Sequence, residues 1–124
     1  MSRPTAGDDP SLENLLELDG MRLVLNGEGY WVKIDAVRVP PSPERPYGIG
    51  YTLTLHAPDG GRLLGYDNAH PVRLGRGPGA AKPTVHDHRH RGEAVGPYQY
   101  RSAADLLVDF WGDVDAVLSE RGVR

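Results

Sequence analysis

The chain of 124 residues has no cysteine, which excludes a disulfide framework and takes thiolates out of any metal site. It also lacks an apolar run near the roughly 20 residues that a membrane-spanning helix needs. Its opening stretch, MSRPTAGDDP, has no apolar centre of the kind a secretory signal carries. A cytoplasmic protein is therefore expected, with no membrane partner. Net charge is small, at −3, and that argues against non-specific nucleic-acid binding, which draws on many Lys and Arg neutralising phosphates. What the chain does have is 16 Gly and 11 Pro, the composition of a turn-rich fold. The length suits one domain.

The charge is unevenly spread. Residues 62–101 hold seven basic and three acidic side chains, a local +4 before His70, His86, His88 and His90 are considered. Such asymmetry reads either as an anion-facing patch on an acidic domain or as arginines solvating a long loop. The first residues are polar and rich in Gly, Pro and Asp. Asp9-Pro10 then offers an N-cap and a proline at the start of a short helix, with Leu12, Leu15 and Leu16 at helical spacing and an end near Gly20. Residues 1–20 are thus expected to be a tail with a possible short helix, and 21–124 the single domain.

Beyond Gly20 the apolar period changes from helical to two. Met21, Leu23 and Leu25 alternate with polar and outward positions, and after Gly27-Glu28-Gly29 the residues Tyr30, Val32, Ile34 and Ala36 do the same. Val39 to Pro46, VPPSPERP, is a loop, because proline cannot donate to a sheet ladder. The clearest strand follows: Tyr47, Ile49, Tyr51, Leu53 and Leu55 share one face. Pro58-Asp59-Gly60-Gly61 turns the chain into a return strand from Arg62 to Asn68. Ala69 to Pro83 has no period and reads as a long loop. TVHDHRHR, Thr84 to Arg91, reads as another strand, and Pro97 to Tyr100 as an extended piece. From Ser102, which opens a capping-box-like start, Ala103, Leu106, Leu107, Phe110, Trp111, Val114, Val117 and Leu118 make a helical stripe that ends before Gly122. Asp105, Asp109 and Asp113 read as its solvated face. The fold class is α+β: an antiparallel β-meander of about five strands with a long C-terminal helix packed on one face.

Alternate residues of a strand share a face, so His86, His88 and His90 point one way and Asp87, Arg89 and Arg91 the other. Three uses of those imidazoles stay open. Two could hold a divalent ion with Asp67 or His70, they could move protons near neutral pH, or they could simply hydrogen-bond on a polar strand. If the strand ending at Asp67-Asn68 lies beside the histidine strand, a pocket gathers Asp67, Asn68, His88, His90 and Arg89 or Arg91. That set suits phosphodiester chemistry, with a carboxylate orienting an imidazole and a guanidinium stabilising phosphate charge. Tyr98 and Tyr100 are stacking surfaces for bases or buried members of the core.

Four stretches in order, GYDN (Gly65 to Asn68), DHRH (Asp87 to His90), PYQY (Pro97 to Tyr100) and LLVDFWGDV (Leu106 to Val114), resemble the signature of the TumE family of toxin-antitoxin toxins. The resemblance covers about the C-terminal half. It implies a growth-inhibiting toxin encoded beside an antitoxin and acting on RNA. Tyr66, Asp67, Asn68, Asp87, His88, Arg89, His90, Tyr98 and Tyr100 occupy signature positions, while His86 falls outside. The loop Ala69 to Pro83 and the segment before Met21 are departures from compact members.

The expectation is then a metal-independent ribonuclease with no cofactor. His88, His90, Asp67 and Arg89 are its candidate catalytic residues, and Asn68, Tyr66, Arg91, Tyr98 and Tyr100 its candidate substrate-binding residues. The alternatives are a non-catalytic module that blocks a cellular target and a metal-dependent nuclease. The expected partners are RNA, a cognate antitoxin and, as a possibility, a second copy in a homodimer. The antitoxin is expected to meet Arg73, Arg76 or Arg91, to shield His88 and His90, and to order the Ala69 to Pro83 loop.

Overall fold

The most regular alternation in the chain lies at the centre of the sheet. The computed structural model describes residues 9–68, 72–73, 84–85 and 87–123. Its elements, in chain order, are α1 (Leu12–Glu17), β1 (Met21–Val24), β2 (Trp31–Arg38), β3 (Ile49–His56), β4 (Arg62–Asp67), β5 (Val72–Arg73), β6 (Thr84–Val85), β7 (His88–Arg91), β8 (Ala94–Pro97) and α2 (Ala103–Glu120). Six strands form one antiparallel sheet in the order β1-β2-β3-β4-β7-β8, and β5 pairs with β6 in a separate two-stranded ribbon.

Two points correct the sequence reading. The sheet has six strands where about five were expected, the additional one being β8, which precedes the extended piece expected at Pro97 to Tyr100. TVHDHRHR is not one strand, since Thr84–Val85 belongs to the ribbon and only His88–Arg91 joins the main sheet. Alternation alone carries no partner information, so it cannot show where a strand leaves one sheet for another.

Register gives the sheet two unlike faces. Val32, Ile34 and Ala36 of β2 stand opposite Leu55, Leu53 and Tyr51 of β3, and Leu53 and Leu55 stand opposite Tyr66 and Leu64 of β4. All of these side chains are buried, each stabilising by about 1.5–3 kcal/mol relative to exposure if large and apolar. The helices cover this face. Leu106, Phe110, Val114, Val117 and Leu118 of α2 and Leu12 and Leu15 of α1 join the same core, so the short helix expected near the N-terminus is a packed element.

The start of α2 explains why α1 sits there. The N–H of Ala103 donates to Asp9 Oδ2 at 2.7 Å, that of Ala104 to Ser11 Oγ at 2.9 Å, and that of Asp105 to Ser102 Oγ at 3.1 Å. Three donors that a helix start leaves unpaired are thereby satisfied, two of them by residues far away in sequence. Burial opposes ionisation of Asp9, but hydrogen bonds from Ser11 and Ala103 outweigh it and hold the carboxyl below its ordinary value. At the other end Gly122 takes φ +71°. There Val123 N–H donates to Leu118 O at 2.8 Å and Gly122 N–H to Ser119 O at 3.0 Å, the double closure that glycine's freedom permits.

Candidate functional site

The second face of the sheet is lined by polar and aromatic side chains and is covered by neither helix. Three rows cross it, read from the pairing register. His88 of β7 stands opposite Asp67 of β4, which stands opposite Thr52 and, beyond it, Asp35. His90 stands opposite Gly65, followed by Thr54 and Lys33. Arg62, His56 and Trp31 make the third row, beside a register shift between Leu55 and His56. The proximity of Asp67 to the histidine strand, conditional in the sequence, follows here from β4 pairing with β7.

Within this face the two imidazoles touch. The rings of His88 and His90 lie edge to face with centroids 4.8 Å apart, and His88 is 2% exposed while His90 is half-buried. Burial pushes the His90 imidazole below its ordinary pKa, the Arg62 guanidinium and the neighbouring His88 push it further, and Asp67 acts in the opposite direction. His90 is therefore held toward its neutral, proton-accepting form. Gly65 has a spatial role beside it. A Cβ there would be 3.5 Å from Arg62 Cδ and 3.7 Å from Arg62 Nη1, ordinary contact distances, which places the Arg62 chain over this glycine of the strand.

The remaining candidates lie elsewhere. Arg89 and Arg91 project from the opposite face of β7, where Arg89 pairs with Asp113 at 3.1 Å and Arg91 with Glu120 at 2.5 Å. Tyr66 donates to Asp113 at 2.5 Å and Tyr98 to Asp109 at 2.6 Å. Burial, then the hydrogen bond to a carboxylate, raises both phenols above the ordinary tyrosine pKa. Tyr100 is buried against Tyr47 and Tyr51. Asn68 extends the β3 ladder with its side chain, accepting from Tyr51 N at 2.9 Å and donating to Ile49 O at 2.8 Å. Asp87 accepts from the Tyr51 hydroxyl at 2.7 Å. The structure thus brings Asp67, His88 and His90 together and sets Tyr66, Asn68, Arg89, Arg91, Tyr98 and Tyr100 apart from them. Asp109 and Asp113, read as a solvated helix face, are instead acceptors for tyrosines and arginines of the sheet side.

Sequence reasoning missed Arg62, Trp31 and His56. Trp31 and His56 stack with centroids 4.1 Å apart at 12°, and His56 is pinned by Thr54 Oγ1 at 2.9 Å and Gly60 O at 3.1 Å. For Trp31 and His56 the signal available was parity, since both stand at outward positions beside the alternating apolar set; Arg62 has the parity of the buried Leu64 and Tyr66 and reaches this face through the register shift at Leu55 and His56. His70, Arg76 and His86 lie outside the described residues, as does most of the Ala69 to Pro83 loop, and the side chain of Arg73 is likewise outside them. Among the described residues no three of His, Asp and Glu are grouped so as to hold a metal ion.

A family model described as Toxin TumE matches residues 9–118. The chain belongs to the TumE toxin family. The match takes in α1 and the whole sheet as well as the C-terminal half that carries the sequence motifs. A TumE chain is the toxin component of a toxin-antitoxin system, and so implies a cognate antitoxin. No curated protein and no solved structure matches. Among the described residues of this TumE chain no helix is long and apolar enough to cross a membrane.

Proposed function

We propose that this TumE toxin inhibits growth as a metal-independent ribonuclease whose reaction takes place on the face of the sheet away from the helices. The observation that carries this reading is the neighbourhood of His90: an imidazole biased toward its neutral form, with a guanidinium on one side and an imidazole and a carboxylate on the other. His90 acts as the general base, taking the proton from a ribose 2′-hydroxyl as that oxygen attacks the adjacent phosphorus; a 2′,3′-cyclic phosphate forms, the P–O5′ bond breaks, and the leaving 5′-oxygen takes a proton from water. Arg62 stabilises the charge that grows on the phosphate oxygens. Arg89 or Arg91 was the sequence candidate for that role, but their pairing with Asp113 and Glu120 on the helix-covered face favours Arg62. His88 and Asp67 complete the row behind the base. Rings in edge-to-face contact leave no space for a phosphate between them, which favours two imidazoles working in series, with His88 and Asp67 positioning His90.

Purified toxin incubated with RNA in the presence of chelator tests the reading. Cleavage by the wild type and its loss in His88→Gln and His90→Ala are expected. Cleavage that disappears with chelator would instead indicate a metal-dependent nuclease. Binding without cleavage, together with growth inhibition that His90→Ala retains, would indicate a module that blocks its target.

A further inference from the structure

The row that begins at His88 ends in a hollow. It has a volume of about 330 Å³ and is bounded by Asp35, Val37, Val39, Arg45, Gly50 and Thr52, with a predominantly apolar wall. It lies on the face away from the helices, and Thr52 and Asp35 continue the register from Asp67 and His88. Neighbouring strands are about 4.8 Å apart, so Asp35, three strands along the row, stands roughly 14 Å from His88. A base further along an RNA strand than the nucleotide being attacked spans that distance.

Gly50 creates the hollow. Its backbone does not require glycine, for it is not among the residues with positive φ. A Cβ there would meet methyl groups of Val37 and Val39 at 3.6 Å, ordinary contact distance. What a side chain would remove is the space. Val37, 52% exposed, leaves an apolar wall bare to solvent on a face otherwise rich in polar groups. Facing it are the Asp35 carboxylate, the Thr52 hydroxyl and the Arg45 guanidinium, whose Nε donates to Asn68 O at 3.2 Å. An apolar slot with a few convergent polar groups suits a flat heterocycle. A carboxylate accepts two parallel hydrogen bonds, and it can do so while Lys33 remains 3.2 Å from Oδ2, because each oxygen has two lone pairs. Of the four RNA bases, guanine alone presents two adjacent donors, N1–H and the 2-amino group, on its Watson–Crick edge.

We propose that the Gly50 hollow is a guanine-binding subsite for a substrate base flanking the nucleotide at the cleaved bond, with Asp35 accepting from its Watson–Crick edge. This rests on the ribonuclease reading. The test is fluorescence anisotropy with 2′-fluoro oligoribonucleotides, which lack the attacking hydroxyl, in three forms: all adenine, adenine with one guanine, and adenine with one hypoxanthine. The wild type is expected to bind the guanine form roughly tenfold more tightly than the all-adenine form, the discrimination of one good bidentate contact. The hypoxanthine form, lacking the amino group, should fall between. Gly50→Val, a strand-compatible substitution that fills the hollow, and Asp35→Asn, which replaces one acceptor with a donor, should each abolish the preference. Equal wild-type binding of the three forms, or a preference that survives in folded Gly50→Val or in Asp35→Asn, overturns the subsite and leaves the catalytic reading standing. Absence of binding to every form overturns both.

Discussion

Two sides of β7 are used in opposite ways. On one, Arg89 and Arg91 meet the carboxylates Asp113 and Glu120 of α2. On the other, which faces away from both helices, His88 and His90 share a surface with Asp67 and Arg62. The residue types alternate HRHR, yet it is the position of α2 that decides which cations are committed to structure. A guanidinium facing a helix is matched by acids one or two turns apart; an imidazole facing away keeps the capacity to exchange a proton near neutral pH. Candidate catalytic residues in a strand are therefore sorted by parity and by what packs on each face, more than by adjacency in sequence.

The contrast can be broken most forcefully at His90. Replacement by Ala is expected to lower RNA cleavage by roughly a hundredfold to ten-thousandfold, with a thermal transition close to that of the wild type because the position lies outside the apolar core, on the face away from the helices. Single-turnover cleavage alongside a melting curve checks both halves. Arg62→Gln should cost roughly a hundredfold in rate, and it should also change the pH dependence. Removing a positive charge lets the His90 pKa rise back toward its ordinary value, so the acidic limb of kcat/KM moves to higher pH; a limb that stays in place would separate Arg62 from the base.

On the covered side the expected losses are in stability. Tyr66→Phe deletes a hydrogen bond to the Asp113 carboxylate, an interaction worth about 1.5–3 kcal/mol, and should lower the urea midpoint while leaving the rate per folded molecule intact. The smallest effect is expected for Arg89→Gln. Its partner pair is partly exposed, so under about 1 kcal/mol is at stake and cleavage should persist. A catalytic defect in Arg89→Gln equal to that of Arg62→Gln would erase the distinction between the faces.

Much of this was legible beforehand. The alternation of Ile49, Tyr51, Leu53 and Leu55 marked the central strand because both its neighbours bury the same face. The stripe from Ala103 to Leu118 marked α2, and the parity of the HRHR run separated imidazoles from guanidiniums. The partners of the guanidiniums were not legible. Arg89 and Asp113 are separated by 24 positions, and no local pattern states that a helix will lie on that side of the strand. For the same reason Asp109 and Asp113 read as solvated and Arg89 as catalytic. Arg62 escaped notice because a register shift beside His56, which alternation does not specify, turns it to the face opposite that of Leu64 and Tyr66.

The junction between Asp9, Ser11 and the start of α2 also orders events in time. Its two hydrogen bonds span 94 and 93 positions, so α1 can be fastened only after nearly the whole described chain has been synthesised. Most pairings of the main sheet join strands consecutive in sequence and can form as the chain emerges, but their apolar face has no lid until α2 follows. Contacts of such long separation form late, when loop closure has been offset by other interactions. A nascent or prematurely terminated chain ending before Ala103 therefore leaves the ribosome with an open core, prone to proteolysis and aggregation. Translation itself thus delays the completed toxin until its last helix has been made.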